Sequence, residues 1–242
     1  LPSAKDFFLK GYKMIPLNKR LKTVARYIQH ERLADIGSDH AYLPLYALEN
    51  NLIKCAVAGE VVAGPFEAAV QNVKKYNASS SIDVRLGNGL EVIKPGEVDV
   101  ITICGMGGPL IADIITSGKD KLDNHPRLIL QSNIHTEAVR HALVSLGYEI
   151  IAEEIMKEKK HTYEIIVAEY ATEQVNYTQK ALKFGPILLQ NKNEVFVEKW
   201  DREYQHLMKV LSAIEHDPIH GQKHEQLKEE ISLLREVLGY VD

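Results

Sequence analysis

Apolar positions along this chain recur at two periods, and the change from one to the other marks its organisation. Leu17, Leu21, Val24, Ala25 and Ile28 fall at helical spacing and predict an amphipathic helix that starts near Asn18. Apolar or mixed runs follow at 33–36, 55–60, 82–86, 98–104 and 127–131, separated by helical stretches near 42–50, 65–76, 108–117 and 136–146. Strands alternating with helices predict a parallel sheet covered on both faces. After Gly147 two β-rich segments, 148–155 and 162–170, come in succession with the charged loop Lys157 to His161 between them. They predict a hairpin added at the sheet edge. Beyond Glu169 the pattern changes to heptad stripes. Val197, Trp200, Tyr204, Leu207, Leu211 and Ile214 form the first, and Leu227, Ile231, Leu234, Leu238 and Val241 the second. Asp217-Pro218 and Gly221 break the pattern between them, so the two helices are expected to fold back as an antiparallel coiled-coil hairpin.

Two units are therefore expected, an α/β domain over 14–170 and a helical, antiparallel coiled-coil domain over 171–242. Residues 1–13 are read as an extension ahead of a start at Met14 and are given no role. A parallel sheet closed by a late antiparallel strand is the layout of Rossmann-like class I methyltransferases rather than of dehydrogenases. The net charge of −4 argues against a uniformly basic nucleic-acid binder, but phosphate binding depends on local charge. The first helix has such a bias. Lys19, Lys22 and Arg26 lie opposite its apolar face, with Arg20 at the border, and no acid falls between Met14 and His30. Cys55 and Cys104 are too far apart in sequence to suggest a disulfide framework or a zinc cluster. His216, His220 and His224 would align as metal ligands on one helix, but Pro218 and Gly221 interrupt it, and no metal is expected. With no secretory signal and no apolar run of about 18 residues, the expected setting is the cytoplasm, away from membranes.

Residues 32 to 43, Arg-Leu-Ala-Asp-Ile-Gly-Ser-Asp-His-Ala-Tyr-Leu, hold the densest chemical signal. An apolar strand runs into Asp35 and Gly37, then a polar turn with Asp39, then an apolar helix. This order builds a nucleotide pocket at the carboxyl end of the first strand of a Rossmann-like sheet. A dinucleotide site needs three glycines so that amides at a helix N-terminus can approach a pyrophosphate. Asp39 and Ala41 occupy the second and third glycine positions here. A carboxylate there repels a pyrophosphate and suits a cationic ligand without phosphate, such as S-adenosylmethionine.

Asp35 either orders the glycine loop, accepts from the ligand's amino group, or caps the following helix. Gly59-Glu60 ends the second strand, where an acid can accept hydrogen bonds from both ribose hydroxyls or simply face solvent. Gly87-Asn88-Gly89 closes the third strand. The Asn88 amide offers the paired donor and acceptor that an adenine edge requires, or else forms a plain Asn-Gly turn. A second strong signal runs from Ile101 to Pro109, where a buried strand enters Cys104-Gly105-Met106-Gly107-Gly108. Three glycines in four positions are costly to order and useless for packing, so they mark a close backbone approach or a tight turn. Gln131-Ser132-Asn133 adds polar groups along the same rim.

These residues resemble the bacterial tRNA adenine-N1-methyltransferases that modify position 22, the TrmK family. The resemblance rests on Leu33 to Pro44, on Ala58-Gly-Glu-Val61 with Gly64-Pro-Phe66, on Gly87 to Ile93, and on Ile103-Cys-Gly-Met-Gly-Gly108. Leu128 to Asn133, Phe184-Gly-Pro186 and Trp200 extend it over nearly the whole chain. Two positions depart from the family's usual pattern: Asn88 stands where Asp is usual, and Ser132 where Pro is usual.

The resemblance implies methyl transfer from S-adenosylmethionine to N1 of adenine 22 in tRNA. Adenine N1 has a lone pair at neutral pH, so the transfer needs positioning rather than a strong base. The ring becomes cationic, and Asp39 or the backbone of the loop through Gly105, Met106 and Gly107 is expected to stabilise it. The implied cofactor set is Asp35, Gly37, Asp39, Glu60, Val61, Gly87, Asn88, Cys104 and Gly105. Position 22 lies in a structured part of tRNA, so the base must leave its stack before it reacts. Lys19, Arg20, Lys22 and Arg26 are expected to grip the RNA, in a chain acting as a monomer. Acids outnumber Lys and Arg after Glu173, so the helical hairpin is expected to recognise shape rather than charge. The competing readings are a methyltransferase for another base or RNA, and an inactive RNA-binding adaptor. Methyltransferases of exocyclic amines usually carry Asn/Asp-Pro-Pro-aromatic after the fourth strand, where this chain has the glycine loop.

Overall fold

The computed structural model describes residues 15–214 and 221–240. In chain order the elements are α1 (Lys19–Ala25), β1 (Arg32–Ile36), α2 (Tyr42–Glu49), β2 (Cys55–Glu60), α3 (Ala63–Lys75), β3 (Ile82–Leu86) and β4 (Val100–Met106). There follow α4 (Gly108–Ser117), β5 (Arg127–Ser132), α5 (Thr136–Ser145), β6 (Tyr148–Glu158), β7 (His161–Tyr170), α6 (Gln179–Phe184), α7 (Glu194–Ile214) and α8 (Gly221–Leu238). Asn18 caps α1, its side chain accepting the Leu21 N–H at 2.8 Å, as the sequence pattern predicts.

The seven strands form one sheet in the order β3-β2-β1-β4-β5-β7-β6. β1 to β5 are parallel, and β7 runs antiparallel to both β5 and β6. Strand order reverses between β1 and β4, which opens a crevice at their carboxyl ends. The edge hairpin is longer than its sequence suggests. Lys157 pairs with Thr162 and Glu158 with His161, leaving only Lys159 and Lys160 as the turn. Charged residues at an exposed hairpin tip look like loop in a sequence, yet their backbones stay in the ladder.

Alternation along the strands divides the core. Leu33 and Val100 join the layer beneath α1, α2 and α3, whereas Ala34, Ile36, Ile101 and Ile103 join the layer beneath α4 and α5. Asp35 and Thr102 stand opposite each other in the β1–β4 register and therefore share the first face.

A third cluster gathers Phe184, Leu188, Phe196, Trp200 and Leu207 with Leu227, Ile231, Leu234 and Val237, against Ile155 of β6. The first stripe begins at Phe196 rather than Val197, which faces solvent, and Val237 is buried more deeply than Leu238. Val241 and Asp217-Pro218 lie outside the described residues. Tyr240 Oη donates to Asp201 at 2.6 Å and Lys192 Nζ to the Val237 carbonyl at 2.7 Å. The end of α8 thus meets the start of α7, so the two helices run antiparallel.

A buried ion cluster fastens this helical pair to the sheet. Arg140 of α5, fully enclosed, lies 2.7 Å from both Glu153 Oε1 and Glu164 Oε2 and also donates to the Leu182 and Lys183 carbonyls at 3.2 Å. Glu153 accepts the Ile187 and Leu188 N–H groups at 2.9 and 3.2 Å, and Lys199 of α7 pairs with Glu164. Burial raises the Glu153 carboxyl above its ordinary value despite Arg140. Burial pushes Glu164 the same way, but Arg140 and Lys199 together hold it below the ordinary value.

Candidate active site

The loop after β1 is built around Asp35. Its side chain is only 3% exposed as a residue, and Thr102 Oγ1 and Ser38 Oγ each donate to it at 2.6 Å, one to each carboxylate oxygen. Burial pushes this carboxyl up to about 6, and the two hydroxyl donors pull the other way. Asp35 therefore orders the loop. It does not cap α2, whose N-cap position is Ala41 with no side-chain cap bond.

Gly37 (φ +69°) and Ser38 both donate their N–H groups to the Gly59 carbonyl, at 2.9 and 3.1 Å, tying the ends of β1 and β2 together. A Cβ at position 37 would overlap Met106 Cε, so Met106 from the β4 loop lies directly on this glycine. Asp39, His40 and Ala41 then all adopt left-handed conformations, with φ of 37°, 67° and 57°. Three such residues in a row cost roughly 1–2 kcal/mol each, and identifiable bonds hold them. Glu60 Oε1 accepts the Asp39 N–H at 2.5 Å, and Asn72 Nδ2 donates to the His40 carbonyl at 3.0 Å. Burial raises the Glu60 carboxyl, with the Asp39 N–H opposing that shift.

β4 runs two residues past the expected 104, with a register irregularity between Cys104 and Met106, and its end and the following turn are fixed from β5 and the residues after it. Gly105 (φ +80°) donates its N–H to Gln131 Oε1 at 2.9 Å, and its carbonyl accepts from Asn133 Nδ2 at 2.8 Å. The Asn133 N–H reaches the Met106 carbonyl and the Gly108 N–H reaches the Ile134 carbonyl, both at 2.8 Å. Arg20 enters from α1, donating to Gln131 Oε1 and lying 5.2 Å above the Tyr163 ring. Burial, reinforced by the charge of Asp35, pushes the Cys104 thiol up.

The family model described as tRNA (adenine(22)-N(1))-methyltransferase, TrmK, matches residues 33–236. The chain belongs to the TrmK family. The tRNA (adenine(22)-N(1))-methyltransferase of Bacillus subtilis strain 168 is 45% identical over 234 residues, covering 93% of this chain and 98% of its own. The crystal structure of the B. subtilis M1A22 tRNA methyltransferase TrmK is similar at a TM-score of 0.88 and 44% identity, over 93% of this chain and 99% of its own. M. capricolum TrmK, solved with S-adenosyl-homocysteine, is similar at a TM-score of 0.83 and 31% identity, over 95% and 100%.

Within that family frame, the sheet brings most of the expected site residues to one edge. Asp35, Gly37, Asp39, Glu60 and Val61 lie at the ends of β1 and β2, and Cys104, Gly105, Met106 and Gly107 at the end of β4. Gly87 follows β3 and donates its N–H to the Glu60 carbonyl at 2.8 Å; Asn88 beside it is exposed and caps nothing. The ends of β1, β2 and β3 carry three carboxylates, Asp35, Asp39 and Glu60, and one exposed amide, Asn88, and this acidic set fits a phosphate-free cationic nucleoside.

Some expected residues stand differently. The Asp39 carboxylate faces solvent at 83% side-chain exposure, and it is its backbone that contacts Glu60. Arg20 is turned into the site instead of lying along an outer basic face. Arg26 is paired with Glu154 at 2.7 Å, which neutralises it, whereas Lys19 and Lys22 are exposed. Ser38, Thr102 and Tyr163 carry no sequence signal for a role in the site, nor do the exposed Lys159 and Lys160 of the hairpin turn. Thr102 becomes visible only once β1 and β4 are known to be neighbours in register. Among the described residues no cluster could hold a metal ion, and no helix is long and apolar enough to cross a membrane.

Proposed function

We propose that this chain transfers the methyl group of S-adenosylmethionine to N1 of adenine 22 in tRNA. The observation that carries this reading is the match of the tRNA (adenine(22)-N(1))-methyltransferase family model over residues 33–236, and the contact of Met106 on Gly37 brings the acidic β1 end against the glycine-rich β4 end in the same crevice. Family membership, and the activity named for the B. subtilis relative, support the same assignment. When bound, S-adenosylmethionine supplies an electrophilic methyl group.

Each residue then has a physical task. Glu60, which holds the Asp39 turn, would accept from the ribose of S-adenosylmethionine. The exposed Asn88 amide would offer a donor and an acceptor to its adenine. Gln131, Asn133 and Arg20 fix the Gly105–Gly108 backbone, against which the target base is placed. The Asp39 carboxylate opposes the positive charge that develops on the methylated ring. RNA lying over the site removes water from this carboxylate and strengthens its effect.

Lys19 and Lys22 supply phosphate contacts as the chain works, a monomer in the cytoplasm. Lys159 and Lys160 extend that edge, because β7 begins where β5 ends and the Lys19 N–H donates to Glu158 beside the turn at 2.7 Å. One paired experiment separates these roles. Asp39→Ala is expected to lower kcat about 10- to 100-fold at saturating donor with tRNA affinity retained. Lys19→Glu with Lys22→Glu is expected to do the reverse, weakening tRNA binding and flattening its salt dependence. Full turnover by Asp39→Ala would remove the catalytic role, and unchanged affinity in the double variant would remove the basic edge.

A further inference from the structure

The structure leaves an exposed isoleucine beside the loop that receives the base. Ile134 is 60% exposed, and Leu110 in the first turn of α4 is 52% exposed. A single exposed apolar residue is ordinary; the mounting of this one is what sets it apart. The Ile134 carbonyl is bonded to the Gly108 N–H at 2.8 Å, and its predecessor Asn133 is bonded through its N–H to the Met106 carbonyl at 2.8 Å. His135, which follows, is left-handed at φ 55°. Ile134 Cγ1 and Pro109 Cδ come within 3.8 and 3.9 Å of the point where a Cβ on Gly107 would stand. A stiff backbone thus presents a branched apolar side chain outward, flush against the glycine loop.

Resting on the proposed reaction at adenine 22, we infer that Ile134 is the wedge that fills the gap left in the tRNA stack when the target base turns out. Removing a base from a stack exposes the apolar faces of its neighbours. An inserted Ile or Leu covers those faces and stops the base from returning. A polar side chain at this place would keep its own water and could not do so. Ile134 is a positioning residue in this scheme, since it acts on the RNA around the base and not on the reacting atoms.

The test compares wild-type chain and Ile134→Ala on two tRNA transcripts, one intact and one with mismatches flanking position 22 that leave the base already unstacked. Ile134→Ala is expected to lose about tenfold in kcat/KM on the intact transcript and less than about threefold on the mismatched one. Ile134→Leu is expected to restore the intact-transcript rate, with donor affinity by calorimetry the same in all three proteins. Equal losses on both transcripts, or no loss on the intact one, would overturn the wedge. If wild-type chain methylates neither transcript at position 22, the proposed reaction is wrong and the wedge falls with it.

Discussion

Gly108→Ala is expected to reduce methyl transfer by about a hundredfold or more while leaving the sheet folded. A Cβ at position 108 would overlap the His135 carbonyl oxygen, lie 2.7 Å from its carbon and stand 3.1 Å from the Ile134 carbonyl oxygen. All three are backbone atoms, so no rotamer change relieves the clash. The N–H of the same residue holds the Ile134 carbonyl at 2.8 Å, and relief requires the loops after β4 and β5 to part. Their separation loosens the bonds from Asn133 to Met106 and Gly105, and with them the backbone against which the base is aligned. Overpacking of this kind costs about 1–3 kcal/mol in stability, comparable to the roughly 2.7 kcal/mol of barrier in a hundredfold rate loss, so the rate is compared at a temperature where the variant is still folded. Gly64→Ala, where a Cβ meets nothing within 4 Å, is the control expected to change neither. Initial rates and thermal midpoints of the two variants decide the matter. Near-normal turnover by Gly108→Ala would mean that the β4 loop does not position the substrate.

Arg140→Ala is expected to destabilise the fold by about 3–5 kcal/mol. It strands two buried carboxylates, Glu153 and Glu164, and leaves only Lys199 facing the second. The effect carries a pH signature. Burial pushes both groups upward, and Arg140 is the largest opposing influence on each, joined by the Ile187 and Leu188 N–H groups on Glu153 and by Lys199 on Glu164. Without it Glu153, already raised in the fold, moves further above its unfolded value of about 4.3, and Glu164 moves upward from below it. A group raised in this way costs nothing while protonated in both states. Its penalty grows as pH climbs from the unfolded towards the folded value. The deficit of Arg140→Ala relative to wild type is therefore expected to be smaller near pH 5 than at pH 8 in denaturant titrations. A loss below about 1 kcal/mol, or one independent of pH, would show that the cluster does not hold the C-terminal helices to the sheet.

The elements legible in the sequence were those whose side chains alternate in local register. The strands ending at Asp35, Glu60 and Cys104 announced themselves by apolar runs closing on an acid or a glycine, and the structure places all three at one edge. What remained hidden depends on partners distant in the chain. Arg20 sits at the border of its helix and turns inward only because Gln131 and Tyr163 wait there, more than a hundred residues later. Arg140 reads as a helix surface residue until two glutamates of the edge hairpin close on it. Phe196 and Val197 both fit a heptad count, and packing against β6 buries the first. The Asp39 carboxylate was legible as a residue type, but not in its direction, because three left-handed residues turn the chain there.

The most direct test of the central claim is incubation of the chain with labelled S-adenosylmethionine and an unmodified tRNA transcript carrying adenine at position 22, followed by nuclease mapping of the methylated nucleoside. The expected result is 1-methyladenosine at position 22 alone, with no label in a transcript that carries guanine there. Label at another nucleotide, N6-methyladenosine at position 22, or no incorporation at all would contradict it.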